Sequence, residues 1–167
     1  MLALTFSDSS NNKIKIGPRA LSGMMDFVQN AHQKFEAGGV LLGRFVIGNN
    51  DAIVDHITIP MIGDRRTRFG YFRSKLHQKR ISEAWAASRG TCNYLGEWHT
   101  HPEDEPAPSS HDFANWENKL AGDKFDSDFL CFVIVGTVRV NVWKGYRNKS
   151  HFEKLTLVTH HSSVNAY

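Results

Sequence analysis

The chain alternates stretches of helical and strand periodicity, with no internal repeat, low-complexity tract or Gly/Ser linker. Lys13 to Ile16 reads as an opening strand. Gly17-Pro18 then starts a helix, because proline's fixed φ and missing N–H suit the first helical position. Leu21, Met24, Met25, Val28, His32 and Phe35 recur at helical spacing and predict one buried stripe, with the helix stopping near Gly38-Gly39. Val40 to Ile47 and Ala52 to Ile59 read as strands around a Gly48-Asn49-Asn50-Asp51 turn, and Pro60 ends the second. Met61 to Ser74 is expected to be a long loop, and Lys75 to Ser88 a second helix. Asn93 to His99 reads as a strand, with the chain turning at Pro102. Ser109 or Ser110 caps a third helix whose inner face is Phe113, Trp116 and Leu120. Phe129 to Val135 is apolar throughout, as a central strand covered on both faces should be. Val138, Val140 and Val142 alternate after a Gly136-Thr137 turn and predict a hairpin, and Phe152 to Val158 a last strand. This order predicts an α/β fold, one domain over residues 1–167, with a mixed sheet and helices packed on both sides.

Composition narrows the function classes. A chain of 167 residues can bury a sizeable core. A formal charge of +3 is too weak to argue for nucleic acid. No apolar run approaches the roughly 20 residues a membrane helix needs. The opening Met1-Leu-Ala-Leu-Thr-Phe is too short for a signal peptide, so the cytoplasm is the expected compartment and no membrane partner is expected. Cys92 and Cys131 form no CxxC pair or disulfide framework, and Cys131 reads as a small core residue. Arg65, Arg66, Arg68, Arg73, Lys75, Lys79 and Arg80 crowd a segment that only Asp64 opposes. They could hold an acidic partner or an extended C-terminal tail, or simply be a solvated loop and helix face. Glu103-Asp104-Glu105 forms an acidic loop, and His160-His161 reads as solvated.

The chemistry concentrates in Glu97-Trp98-His99-Thr100-His101-Pro102 and, after it, Ser109-Ser110-His111-Asp112. Residues two apart on a strand face the same way, about 6.5–7 Å between Cα atoms, so His99 and His101 can converge on one ion. Pro102 lets the chain loop back, and Asp112 early in the next helix can supply a third ligand. Two neutral imidazoles and one carboxylate leave zinc a fourth position for water, the catalytic arrangement, and zinc lowers that water's pKa to about 7. Each residue also has a bland reading. A lone His-x-His is weak among nine histidines, Ser109 can be a cap, and Asp112 can be an acid at a helix N-terminus. Jointly, His-x-His-Pro-x6-Ser-x2-Asp should arise by chance in roughly one such chain in 10⁴ to 10⁵. Glu97 points the same way as both histidines on a regular strand, making it a candidate base or an imidazole-orienting partner. Trp98 should face the opposite side, into the core. His111 should face away from Asp112.

His99-Thr100-His101-Pro102, with Ser109 and Asp112 at their spacing, resembles the JAMM motif of the JAB/MPN metallopeptidases. Phe35-Glu36-Ala37-Gly38-Gly39-Val40-Leu41-Leu42-Gly43 is similar to the family's segment with an upstream glutamate. The resemblance implies an MPN/JAB fold with cytidine-deaminase-like layering. It implies that His99, His101 and Asp112 bind Zn2+, that Glu36 is the general acid/base, and that Ser109 helps hold the oxyanion. Glu36 is placed ahead of Glu97 on this match alone. The family cleaves after ubiquitin or ubiquitin-like proteins, often at a lysine isopeptide bond. The quoted segments look most like small bacterial JAB peptidases, some of which accompany E1/E2-like conjugating enzymes in CBASS antiphage systems. There the implied substrate carries the C-terminal tail of a cGAS-like nucleotidyltransferase.

Rival readings remain open. One is a JAMM-like DNA-repair-associated protein, another a metal-free MPN scaffold, and a third a nucleic-acid module using the Arg-rich segment. The scaffold is disfavoured because three ligands and a base are present. A zinc nucleoside deaminase needs a Pro-Cys-x-x-Cys pair that the chain lacks.

Overall fold

The computed structural model describes residues 2–149 and 151–158, and His160-His161 lies outside them. The elements in chain order are β1 (Leu4–Ser7), β2 (Lys13–Ile16), α1 (Pro18–Met25), β3 (Gly38–Phe45), β4 (Ala52–Ile57), β5 (Arg65–Thr67) and β6 (Gly70–Phe72). There follow α2 (Leu76–Ala87), β7 (Asn93–Thr100), α3 (Ser110–Gly122), β8 (Phe129–Val135), β9 (Val140–Tyr146), β10 (Phe152–Lys154) and β11 (Thr156–Leu157). Nine strands make one sheet in the order β10-β9-β8-β7-β3-β4-β2-β1-β11, and β5 and β6 form a separate hairpin. The pairs β2–β4 and β7–β8 are parallel and the others antiparallel, so the sheet is mixed as expected.

The alternation along β8 divides the core. Cys131, Val133 and Val135 face one cluster, which Ala20, Leu21 and Met24 of α1 complete. Leu130, Phe132 and Ile134 face the other, closed by Trp116 and Leu120 of α3 with Ile81 and Ala84 of α2 against it. Helices therefore cover both faces. Trp116 stacks on Phe132 with ring centroids 4.6 Å apart, which anchors the helix that follows the His-x-His segment.

A bulge in β7 sets the direction of the functional side chains. Tyr94 and Trp98 have the same parity, yet Tyr94 joins the α3-side cluster and Trp98 the α1-side cluster. The pairing of β7 with β3 shifts register at this point, and Gly96 sits there at φ +135°. An added Cβ would lie 1.8 Å from the Cys131 carbonyl oxygen, so only glycine fits. Beyond the bulge Trp98 points into the core as expected, and His99 points toward α3.

Four elements differ from the sequence expectation. Helix α1 ends at Met25 rather than near Gly38-Gly39. Leu21, Met24 and Val28 are buried, but Met25, His32 and Phe35 are exposed. Tertiary contacts replace the helical ladder over 26–37. Lys34 Nζ donates to Val28 O at 2.9 Å, Arg68 Nη1 to His32 O at 2.7 Å, and Gln29 Nε2 to Lys34 O at 3.2 Å. The Met61–Ser74 loop contains the β5–β6 hairpin, too short to show a period-two pattern. Strand β1 was likewise not expected, and Phe152–Val158 is two strands. Those two, separated by Leu155 alone, pair at opposite ends of the strand order, β10 with β9 and β11 with β1. Leu155 is buried and its N–H donates to Val142 O at 2.8 Å, where the chain passes from one edge of the curled sheet to the other.

Candidate metal centre

His99 lies at the end of β7 and His101 just past it, both buried. Their Nε2 atoms are 3.1 Å apart. The chain turns at Pro102 and returns through an acidic loop, pinned where Thr137 N donates to Glu103 O at 2.7 Å and Arg139 N to Asp104 O at 3.0 Å. It then enters α3 at a capping box. Asp112 N donates to Ser109 Oγ at 3.1 Å, and Ser109 N to Asp112 Oδ2 at 2.7 Å. The box fixes the Asp112 carboxylate over the histidines, with Oδ1 3.2 Å from His99 Nε2 and Oδ2 3.4 Å from His101 Nε2.

Glu36 arrives from the connection before β3, buried, with Oε1 3.7 Å from His101 Nε2. One donor atom each from Glu36, His99 and His101 falls within 4.8 Å of the others. Thr100, between the histidines, stitches that connection to β7. Its N–H donates to Ala37 O at 2.8 Å, its Oγ1 accepts from Ala37 N at 2.9 Å and donates to Gln29 Oε1 at 3.0 Å.

The donor set can be tested against a zinc ion. A tetrahedral centre with bonds of about 2.0–2.1 Å places its donors about 3.3–3.4 Å apart. The two imidazole nitrogens are 3.1 Å apart, and each has one Asp112 oxygen close by, Oδ1 at 3.2 Å from His99 and Oδ2 at 3.4 Å from His101, so two nitrogens and one carboxylate converge closely enough to share an ion. The electrostatics agree. Burial pushes the Glu36 carboxyl up to about 8, opposed by His101 and reinforced by Asp112 and Glu103. Burial disfavours charge on His101 too, but the hydrogen bond to Asp112 and the nearby Glu36 raise its proton affinity above the ordinary value. Asp112 resists burial and stays well below the carboxylate range because His101, His99 and Ser109 hydrogen-bond it. Two carboxyl groups and two imidazoles thus compete for protons at one point, where a divalent cation can take the protons' place.

Glu36, His99, His101, Ser109 and Asp112 therefore meet at one place. Glu97 shares the face of His99 but is ion-paired with Arg73 and sits 3.6 Å from Lys119, away from the imidazoles. His111 is exposed and packs its ring 4.9 Å from that of Phe72. The Ser109 hydroxyl donates to Asp112 Oδ2 at 2.6 Å. Gln29, Thr100 and Arg66 support the site but were not legible, since each acts on backbone distant in sequence.

The family described as prokaryotic homologs of the JAB domain matches residues 18–149. The chain belongs to this family. Among JAB relatives, a protein of Pseudomonas aeruginosa named CD-NTase/cGAS isopeptidase is 36% identical over 131 residues, 78% of this chain and 81% of its own length. Relatives of the same name come from Vibrio cholerae and Escherichia coli. The first is 35% identical over 87% of this chain and 89% of its own length, the second 31% identical over 93% and 95%. The JAB fold also resembles a solution structure of a Desulfitobacterium hafniense protein, with TM-score 0.60 at 18% identity over 83% of this chain and 87% of that one. No helix among the described residues is long and apolar enough to cross a membrane.

Proposed function

We propose that this JAB protein is a zinc-dependent isopeptidase that hydrolyses the amide bond between the C-terminal tail of a conjugated protein and its target. The substrate class is the CD-NTase/cGAS conjugate for which its relatives are named, made by an E1/E2-like conjugating system in the cytoplasm. The observation that carries the reading is the convergence of two imidazole nitrogens and the Asp112 carboxylate within 3.4 Å of one another, with Glu36 beside them.

His99, His101 and Asp112 would hold the metal, which when bound supplies Lewis acidity toward the amide carbonyl and activates a water molecule. Glu36 stands where it can take the proton from the attacking water. Burial gives its carboxyl a high proton affinity, which favours taking that proton, and the leaving amine nitrogen, more basic still, can receive it in turn. The carbon–nitrogen bond then breaks, giving a carboxylate on the tail and a free amine on the target. Ser109, one hydroxyl rotation away from its bond to Asp112, is the donor for the developing oxyanion.

The test uses the purified chain and a CD-NTase fused through its C-terminus to a second protein. About one zinc per chain, cleavage at the junction and its loss with a chelator are expected. Glu36→Ala should abolish cleavage and leave zinc bound. Full cleavage by Glu36→Ala, with its loss in Glu97→Gln, would move the base to Glu97. Cleavage that ignores the chelator would remove the metal from the mechanism.

A further inference from the structure

We infer that Arg66, on the β5–β6 hairpin, is the positioning residue that aims Glu36 at the metal centre; this rests on the base role proposed for Glu36. Glu36 lies in the 26–37 connection, which has no helix or strand of its own over its second half. Its carboxylate makes no hydrogen bond among the described residues, and the nearest imidazole nitrogen is 3.7 Å away. The side chain's aim therefore follows from how its backbone is held.

The hairpin holds it on both sides. Glu36 N donates to Thr67 O at 2.7 Å, and Arg66 Nε donates to Glu36 O at 2.7 Å, with Arg66 Nη2 3.5 Å from Phe35 O. Arg66 is half-buried and pairs with no carboxylate among the described residues, so its guanidinium is committed to these carbonyls. The hairpin is itself anchored. Just after β6, Arg73 reaches Glu97 of β7 and, at 2.6 Å, Asp123 at the end of α3. Tyr94 donates to the same Asp123 oxygen at 2.8 Å. The strand bearing His99 and the helix bearing Asp112 thus fix the hairpin, and Arg66 transmits that fixed point to Glu36.

This gives Arg66 a role other than that of a charged docking face. Its neighbour Arg65 offers the contrast, being exposed with its guanidinium over the Phe72 ring at 4.8 Å and making no bond to the Glu36 connection.

Arg66→Met, Arg66→Lys and Arg65→Met should be compared for zinc content, steady-state cleavage of the conjugate, and amide hydrogen exchange across residues 31–40. Arg66→Met is expected to lower kcat about 10- to 100-fold, as a displacement near 1 Å of a reacting group does, with KM and zinc content held. Exchange at Glu36 should quicken, Arg66→Lys should recover part of kcat, and Arg65→Met should match the wild type throughout. The inference is overturned if Arg66→Met keeps the wild-type kcat. It is equally overturned if both methionine variants raise KM together in a salt-sensitive way, which is the signature of docking. If the wild type cleaves nothing, the function proposal fails separately. The exchange measurement then still decides, and an unchanged Glu36 amide rate in both Arg66 variants removes the clamp.

Discussion

Replacing Gly96 by alanine tests the link between the β7 bulge and the metal centre. The backbone there sits at φ +135°, a conformation that costs a residue with a Cβ about 1–3 kcal/mol. The new methyl would also lie 1.8 Å from the Cys131 carbonyl oxygen and 2.8 Å from its nitrogen, both backbone atoms that cannot swing aside. Prising β7 from β8 to make room is overpacking of the ordinary kind, worth about 1–3 kcal/mol. The two together give about 2–6 kcal/mol, a large share of the roughly 5–15 kcal/mol by which a domain is stable. The strain can be relieved by straightening the strand, but that exchanges the faces of Trp98 and His99. Urea unfolding followed by tryptophan fluorescence should show the loss, and zinc titration of the folded fraction should show weakened binding. Gly122→Ala is the control, because nothing lies within 4 Å of its Cβ at the last residue of α3. It should be neutral or stabilise by up to about 1 kcal/mol. A Gly96→Ala variant with wild-type urea midpoint and zinc affinity would refute the argument.

Two further substitutions separate stability from metal binding. Asp112→Asn retains an acceptor for Ser109 N, so the metal-free melting temperature should stay within a few degrees while zinc affinity falls at least tenfold in a chelator competition. Lys144→Met leaves the buried Asp8 carboxylate, which Lys144 meets at 2.7 Å, with only the hydrogen bonds from Ser10 and Asn12, and should cost about 3 kcal/mol at neutral pH. Burial opposes ionisation of Asp8, but bonds from Lys144 and Asn12 hold its pKa below the ordinary value. Its contribution in the wild type is therefore present above about pH 3.9 and is lost as pH falls through the lowered folded value. In Lys144→Met the lowering by Lys144 is gone, so the deficit relative to wild type should shrink on acidification. A deficit that is constant from pH 7 to 3 in urea titrations would contradict this.

The candidate metal site was legible because four of its residues sit close in sequence and their spacing is set by local geometry. A strand of period two beyond the Gly96 bulge, a proline and a capping box bring His99, His101, Ser109 and Asp112 together. Glu36 was reachable only through the family segment, since nothing in spacing alone joins it to His99, 63 positions onward, or to the residues beyond. The apolar run of β8 and the extent of α2 were also legible. The end of α1 was not, because Gln29, Lys34 and Arg68 satisfy the carbonyls of 26–37 from outside the local ladder. Part of the basic segment was obscure for the same reason. Arg66, Arg68 and Arg73 look like surface charge in a list of residues but are half-buried and bound to carbonyls or carboxylates. Glu97 was attractive as a base by its position on the strand, and its true partner, Arg73, is 24 residues away.

The short strap around Leu155 has a consequence for how the molecule tolerates damage. Because β10 and β11 guard opposite margins of the same sheet, a cut or deletion near Glu153 would lay bare both β9 and β1 at once. Unpaired strands of that kind invite neighbouring molecules to add on, so nicking this region should lead to self-association well before the helices or the histidine-bearing strand lose their order.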